Sequence, residues 1–136
     1  MTYRLDEQVG FLLRRAQQRH LAIFGARMAA GLTSRQFAAL ARLHETGPCS
    51  QNALGRLTAM DNATISGVLT RLEERGLVAR AALVADRRMT EVRLTEAGTD
   101  LIARLLPIAT AITEETLAPL DPQERAVLAD LLRRLG

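Results

Sequence analysis

The apolar residues of this chain change their spacing along its length, and that change limits the folds open to it. Up to residue 72 they recur every three or four positions, which is typical of one face of a helix. Over Thr90-Glu91-Val92-Arg93-Leu94 polar and apolar residues alternate instead, as in a half-buried strand. Helical spacing then returns. The pattern therefore predicts a mostly α fold with a small β-hairpin.

Capping signals divide the helical regions into six predicted helices. Thr33-Ser34-Arg35-Gln36 is a capping-box pattern, with a hydroxyl followed three residues later by Gln. Asp121-Pro122-Gln123-Glu124 joins a cap residue to Pro at the first helical position. With Ser50, Asp61 and Thr95 as further caps, the expected helices are Leu5–Met28, capped by Gly31, a second helix up to Gly47-Pro48, Gln51–Met60, Asn62–Arg75, Glu96–Leu117 and one from Pro122 onward.

The spacing also indicates which side chains turn inward. We expect one face of the first helix to carry Leu5, Val9, Leu12, Ala16, His20 and Ile23, the second helix to bury Phe37, Leu40 and Leu43, the third Leu54 and Leu57, and the fourth Ile65, Val68, Leu69 and Leu72. Pro107 lies inside the fifth helix, where it removes a backbone bond to Ala103 and predicts a kink.

The order of these elements predicts a winged helix-turn-helix. Two short helices with a tight turn follow a supporting helix. The hairpin that comes next pairs Leu77–Val84 with Thr90–Leu94 across a tip at Ala85–Met89, and so forms a wing. The chain is then a single domain, with a winged core over 32–95 and a helical region over 1–31 and 96–136.

The helices at the two ends are rich in Leu and would leave apolar stripes on a lone subunit. Burial around a two-fold axis is the simplest solution, so we expect an obligate homodimer through the N- and C-terminal helices. The alternative is that these helices fold back on their own domain.

Composition narrows the function classes. The net charge is +3, and all 18 cations are Arg, whose planar fork suits phosphate and carboxylate. The single cysteine, Cys49, excludes an internal disulfide and a Cys-based metal cage. We see no apolar run long enough for a membrane span, no signal peptide and no catalytic constellation. We therefore expect a cytoplasmic protein that is not an enzyme and holds no metal or cofactor.

Three segments resemble the MarR family of regulators. The run Asp61-Asn62-Ala63-Thr64-Ile65-Ser66-Gly67-Val68-Leu69-Thr70-Arg71-Leu72-Glu73-Glu74-Arg75-Gly76-Leu77-Val78 looks like the family's recognition helix. Asp86-Arg87-Arg88 with Val92-Arg93-Leu94-Thr95-Glu96-Ala97-Gly98 resembles its wing and wing exit, and Leu32-Thr33 with Gln36 the start of its second helix. The resemblance implies a homodimer that binds a pseudo-palindromic operator in double-stranded DNA. It also implies repression relieved by a small ligand.

On this resemblance the fourth helix would enter the major groove with small or polar residues on its outer face. Asn62, Thr64 and Ser66 are candidates for hydrogen bonds to base edges or phosphates, and Thr70 shares their face. Gly67 stands where many relatives have Arg or Lys, so no guanine contact is expected there. Arg71 and, at the start of the third helix, Gln51 are candidates for phosphate contacts. The alternative is that these are solvated helix residues.

The wing tip is expected to enter the minor groove. Residues two apart share a side of a hairpin, so Asp86 can brace Arg88 while Arg87 points elsewhere. By resemblance Arg88 is the inserted residue, since a narrow minor groove attracts positive charge. Asp86 and Arg87 are the other DNA-binding candidates at the tip. An ordinary surface ion pair is the alternative interpretation.

The first helix is similar to that of family members that respond to aromatic carboxylates. By this resemblance Arg14 grips the acid and His20 meets a ring hydroxyl, with Arg15 and Arg19 as the next carboxylate partners. Phe11, Phe24 and Phe37 would supply the walls of a flat pocket between the first, second and fifth helices. Hydroxybenzoates such as protocatechuate, and hydroxynicotinates, are the candidate effectors.

The spacing of Arg14 and His20 raises a geometric problem. Six residues turn a helix through about 600°, which leaves the two side chains about 120° apart. Either the ligand lies across the shoulder of the helix, or the two groups come from different subunits.

The sequence is also compatible with two other classes of regulator. Cys49 follows Gly47-Pro48 near a helix start, a position that can lower a thiol pKa and would suit a redox sensor. A DNA-binding regulator without any small-molecule effector is the second. Zinc sensing is disfavoured because His20 and His44 lack a close cluster of ligands.

Overall fold

The computed structural model describes residues 1–28, 30–86 and 88–136. In these ranges lie six α-helices, a 3-10 helix at Leu5–Glu7 and three strands. In chain order they are α1 (Val9–Arg27), α2 (Ser34–Thr46), β1 (Cys49–Ser50), α3 (Gln51–Leu57), α4 (Asn62–Glu74), β2 (Val78–Ala82), β3 (Thr90–Leu94), α5 (Glu96–Thr116) and α6 (Pro122–Leu135). None of the described helices has the length and apolarity that crossing a membrane requires.

The chain divides into two compact units. One contains Met1–Met28 with Pro107–Gly136, and the other, the winged unit, contains Ala29–Leu106. Helix α5 continues through Pro107 without interruption.

The predicted N-terminal caps are present. The Thr33 hydroxyl accepts from the Gln36 N–H at 3.1 Å, and the Gln36 side chain accepts from the Thr33 N–H at 3.0 Å. Asp121 and Glu124 form the same reciprocal pair at the start of α6. Ser50, Asp61 and Thr95 each accept from the backbone N–H three residues later, so all five start signals are confirmed.

The winged unit is built around a three-stranded antiparallel sheet in the order β1-β3-β2. The hairpin register places Val78 opposite Leu94 and Ala82 opposite Thr90, which confirms the wing. Strand β1 was not expected. It has two residues, Cys49 opposite Val92 and Ser50 opposite Glu91, and it ties the start of α3 to the inner strand of the wing.

The core of this unit joins the supporting helix, the helix-turn-helix and the sheet. Its fully or almost fully buried apolar side chains are Ala39, Leu40, Leu43, Leu54, Ile65, Leu69, Leu72, Val78, Val92 and Ile102. Burying one such Leu or Ile contributes about 1.5–3 kcal/mol. The stripe predicted for α4 is therefore confirmed at Ile65, Leu69 and Leu72, while Val68 is only half-buried.

The prediction that Leu57 is buried is wrong. Helix α3 ends at Leu57 instead of Met60, because the chain turns at Ala59, where φ is +56°. Leu57 lies at that end with its side chain 44% exposed.

The unit that contains the chain ends has a small interior. The first helix begins at Val9, after a 3-10 turn, and ends at Arg27, so Gly31 is not its immediate cap. Of the face predicted to turn inward, only His20 and Ile23 are half-buried. Leu5, Val9, Leu12, Val127, Leu131 and Leu135 are each at least 45% exposed on the single chain.

Gly98 is the glycine on which this architecture depends most directly. A Cβ built at Gly98 would stand 2.0 Å from the backbone oxygen of Leu77, where strand β2 is about to begin. Backbone cannot move aside as a flexible side chain can. We expect Gly98→Ala to lower the free energy of unfolding by about 2 kcal/mol or more, the range of strained core substitutions.

Gly67→Ala is the matched control, because a Cβ at Gly67 meets nothing within 4 Å. It should raise the free energy of unfolding by roughly 1 kcal/mol through helix propensity. Denaturant unfolding of both variants measures the difference. Equal stability of the two variants would contradict the close approach at Gly98.

Candidate nucleic-acid interface and effector region

Helix α4 presents a polar face opposite its buried stripe. Asn62, Ser66 and Thr70 follow one another at spacings of four, so they share that face. Asn62 and Thr70 are exposed and Ser66 is half-buried. Gly67 is exposed and open beside them, which leaves a shallow surface that a DNA groove can approach closely.

Two of the predicted α4 contacts are restricted by their own hydrogen bonds. Thr70 donates its hydroxyl proton to the Ser66 carbonyl at 2.9 Å, so its oxygen can only accept from another group. Thr64 is half-buried, and its backbone N–H is used in the cap with Asp61. Arg71 is exposed on the flank of the helix, in keeping with a phosphate contact.

The carboxyl group of Asp61, at the start of α4, has a lowered pKa. Hydrogen bonds from Thr64 contribute most to lowering the pKa of Asp61, and the positive charge of Arg35 lowers it further. Arg35 stands in the first turn of α2, so the structure brings a cation to the amino end of the recognition helix. Arg35 was not among the residues predicted to lie at the site.

The wing tip has the predicted internal brace. Asp86 accepts from the Arg88 backbone N–H at 3.0 Å and from its guanidinium Nε at 3.2 Å. These two bonds hold the pKa of Asp86 below its ordinary value. The Arg88 side chain is 91% exposed, so the carboxylate orients the guanidinium without covering it. Arg87, also predicted to contact DNA, lies outside the described residues.

The structure brings Gln51 and Arg88 together, although they are far apart in the sequence. Both line a polar groove of about 150 Å³ between the start of α3 and the wing. Ser50, Asn52 and Thr90 complete its polar lining. Asn52 is a candidate that sequence reasoning missed, and its position directly after Gln51 was the signal available.

Arg80 is a more important residue that was not predicted from the sequence. This residue of β2 donates to Gln51 Oε1 at 3.4 Å, Thr70 Oγ1 at 3.0 Å and Glu73 Oε1 at 3.2 Å. Its side chain is only 19% exposed. The sequence offered little signal, because its three partners lie on two helices that precede it in the chain.

The candidate effector residues on α1 form two separate pairs. Near the start of the helix, the Arg15 guanidinium lies 6.0 Å from the centre of the Phe11 ring. One and a half turns beyond Arg15 in the same helix, the His20 and Phe24 rings are 6.5 Å apart and tilted, and Phe24 is buried. Arg14 is exposed. Phe37 is half-buried and belongs to α2, in the winged unit.

The last turn of α5 is held by α1. Thr116 Oγ1 lies 2.9 Å from His20 Nδ1. Arg19 donates to the backbone oxygens of Glu115 at 2.8 Å and Thr116 at 3.4 Å, and Arg27 pairs with the Glu115 carboxylate. Cations at a helix carboxyl end offset its dipole and satisfy its carbonyls.

These contacts bear on which of the candidate residues could contact an effector. Arg19 is already committed to backbone carbonyls, which makes it a weaker carboxylate partner than exposed Arg14. His20 uses Nδ1 on Thr116, so Nε2 is the atom that a ligand would meet. Arg14 and His20 lie about 9 Å apart along the axis of one continuous helix.

Cys49 does not have the lowered pKa that its position allowed. Burial makes the largest contribution and raises the pKa of the thiol. A hydrogen bond from Thr46 lowers the pKa by less, and the Glu91 carboxylate adds a still smaller increase. The prediction of a lowered pKa is therefore wrong, because the folded chain half-buries the thiol and burial disfavours the charged thiolate. Within the described ranges, no three His, Cys, Asp or Glu residues are grouped so that they could hold a metal ion.

Comparison with known proteins places these features in one family. The MarR family model matches residues 32–90. The HTH-type transcriptional repressor NicR of Pseudomonas putida is 43% identical over 134 residues, which cover 98% of this chain and 85% of NicR.

Two solved structures match nearly the whole chain. A probable transcriptional regulator from Pseudomonas aeruginosa is 52% identical, with a TM-score of 0.93 over 98% of this chain and 100% of its own. BpsR of Bordetella bronchiseptica is 41% identical, with a TM-score of 0.91 over 99% and 98%. That structure concerns the mechanism by which 6-hydroxynicotinic acid regulates DNA binding of BpsR. The chain therefore belongs to the MarR family of winged helix-turn-helix transcriptional regulators.

Proposed function

We propose that this protein is a homodimeric transcriptional repressor that binds an operator through α4 and the wing and is released by a small aromatic carboxylate. The observation that carries the DNA-binding part is the brace at the wing tip. There Asp86 fixes the direction of an Arg88 guanidinium that stays almost fully exposed. A guanidinium fixed in this way loses little freedom on entering a minor groove.

The dimer sets the spacing of the two reading surfaces. MarR regulators act as dimers, and the exposed apolar residues of α1 and α6 are the surface that this protein would bury with a second copy. A two-fold axis then presents two copies of α4 to successive major grooves, about 10 base pairs apart.

The effector proposal rests on the relatives together with the α1 residues. DNA binding by BpsR is regulated by 6-hydroxynicotinic acid, and NicR carries the name of a repressor. In this chain Arg14 offers an exposed guanidinium for a carboxylate, and His20 Nε2 faces away from the bond to Thr116. Because Thr116 ends α5, a ligand on His20 acts at the end of that helix.

Release from DNA would follow from differential binding. An effector that binds best to a dimer with wrongly spaced α4 helices shifts the population away from the DNA-binding state. A coupling of about 1–3 kcal/mol weakens DNA binding roughly 5–150-fold, which is enough to relieve repression. We propose no enzymatic activity and no cofactor for this protein. As a DNA-binding regulator it would act in the cytoplasm, where the chromosome lies.

We expect Arg88→Ala to weaken operator binding severely, since it removes the inserted guanidinium. The fold and the dimer should be unchanged, because the hydrogen bonds described for the Arg88 side chain all go to Asp86, two residues away. Fluorescence anisotropy with the DNA upstream of its own gene gives the affinity, and light scattering gives the mass. Arg104→Ala, which removes an exposed cation from α5, is the charge-matched control. Equal affinity for wild type and Arg88→Ala would remove the wing from the mechanism.

We expect 6-hydroxynicotinic acid or protocatechuate to raise the melting temperature of the wild-type protein. A ligand at a hundred times its Kd stabilises the folded state by about 2.7 kcal/mol. Arg14→Ala and His20→Ala should each lose most of the shift, whereas Arg104→Ala should keep it. The same acid should weaken operator binding. If no aromatic acid changes the melting temperature, the effector proposal fails and DNA binding stands.

Cys49 should be a slow thiol. Because its pKa lies above the ordinary value, the thiol stays protonated at neutral pH and becomes nucleophilic only as the pH rises through that raised pKa. Iodoacetamide should therefore alkylate the folded protein more slowly than it alkylates glutathione. After treatment with hydrogen peroxide, the wild type and Cys49→Ser should bind the operator with equal affinity. Peroxide-dependent release that Cys49→Ser abolishes would support redox sensing instead.

A further inference from the structure

Arg80 joins three elements of the winged unit through one side chain. It belongs to β2, the strand that leads into the wing, and its fork reaches Gln51 on α3 and both Thr70 and Glu73 on α4. The guanidinium Nη2 bonds both α4 residues, at 3.0 and 3.2 Å, while Nη1 turns to Gln51 at 3.4 Å. The side chain is mostly buried between these partners.

These bonds fix the orientation of two residues expected to contact DNA. Arginine carries only donors, so the Gln51 amide must turn its oxygen toward Arg80 and its NH₂ group away. That NH₂ group is the donor that a phosphate needs. Thr70 gives its proton to Ser66 and accepts from Arg80, so its rotation is fixed from both sides.

The charge of Arg80 is already offset. Glu73 lies 3.2 Å from Nη2, and the low exposure of the guanidinium leaves it little access to a phosphate. By contrast, Arg88 is almost fully exposed at the wing tip. Arg80 and Arg88 therefore differ, because the Arg88 guanidinium is directed outward and the Arg80 guanidinium inward.

We infer that Arg80 is a positioning residue for operator recognition, which holds α3, α4 and the base of the wing in the relative arrangement that DNA requires. The inference rests on the proposed DNA-binding function. Lysine can replace Arg80 only in part, because an ammonium on a flexible stem lacks the planar fork that bonds two helices at once.

A positioning role predicts a loss of specificity and not a loss of charge contacts. Arg80→Met should weaken binding to the operator by about tenfold, roughly the effect of one mismatched base pair. Binding to an unrelated duplex of the same length should hardly change. The slope of log K against log salt should be that of the wild type, since no phosphate contact is removed. Arg80→Lys should recover only part of the affinity.

Arg93→Met is the matched control. Arg93 lies on the neighbouring strand β3, opposite Ala79, and pairs with Glu91 of its own strand. It connects no helices by any described bond, so its loss should leave the ratio of operator to unrelated-DNA affinity unchanged. Anisotropy titrations at several salt concentrations, with melting temperatures and masses for every variant, complete the experiment.

Three results with Arg80→Met would overturn the inference. Unchanged operator affinity in Arg80→Met means that the bonds are not needed. A slope smaller by about 0.9 means that Arg80 itself neutralises a phosphate. Equal losses on both duplexes, with a lower melting temperature, mean that the role is only structural. If the wild type binds no operator, the proposed function fails and the inference falls with it.

Discussion

Recognition helix α4 can present a polar, shallow surface to DNA because three side chains on its opposite face are fully buried. Ile65, Leu69 and Leu72 have no exposed area, and they lock the helix onto the core of the winged unit. Burial on that scale fixes rotation about the helix axis, so Asn62, Ser66 and Thr70 can face only outward. Every proposed contact of the helix depends on this division between its two faces.

The arginines of this chain have different roles, which depend on the groups that each guanidinium contacts. Arg88 is steered by a carboxylate and left in solvent, whereas Arg80 is drawn inward and its charge is offset by Glu73. Arg19 bonds the carbonyls at the end of α5. In a chain without lysine, partner geometry separates these roles: an exposed fork is available to a ligand or DNA, and a bonded one organises the protein.

Local signals in the sequence predicted most of the fold. Caps depend on residues three apart, so the starts of α2 and α6 could be assigned from Thr33 and Asp121 with their partners. Strand β1 could not, because two residues carry no periodicity and its pairing with β3 spans more than forty positions. The exposure of Leu57 results from the positive φ at Ala59. Because position 59 is neither glycine nor asparagine, this turn could not be predicted.

The same limit applies to the candidate site. The Asp86–Arg88 brace joins residues two apart and was predicted from hairpin geometry. The contacts of Arg80 and the bond between His20 and Thr116 join residues that only the folded chain brings together. The pKa of the Cys49 thiol likewise depends on the folded chain, because burial raises it and so reverses the effect expected from a helix start.

Gly67 gives the reading surface room to evolve. Its exposed position on α4 has open space where a side chain would stand, and glycine in a helix costs roughly 1 kcal/mol relative to alanine. A change to arginine requires one nucleotide, would not disturb the core, and would add a long donor fork beside Ser66 and Thr70. The scaffold could therefore acquire a new operator preference in one mutational step, without first gaining stability elsewhere.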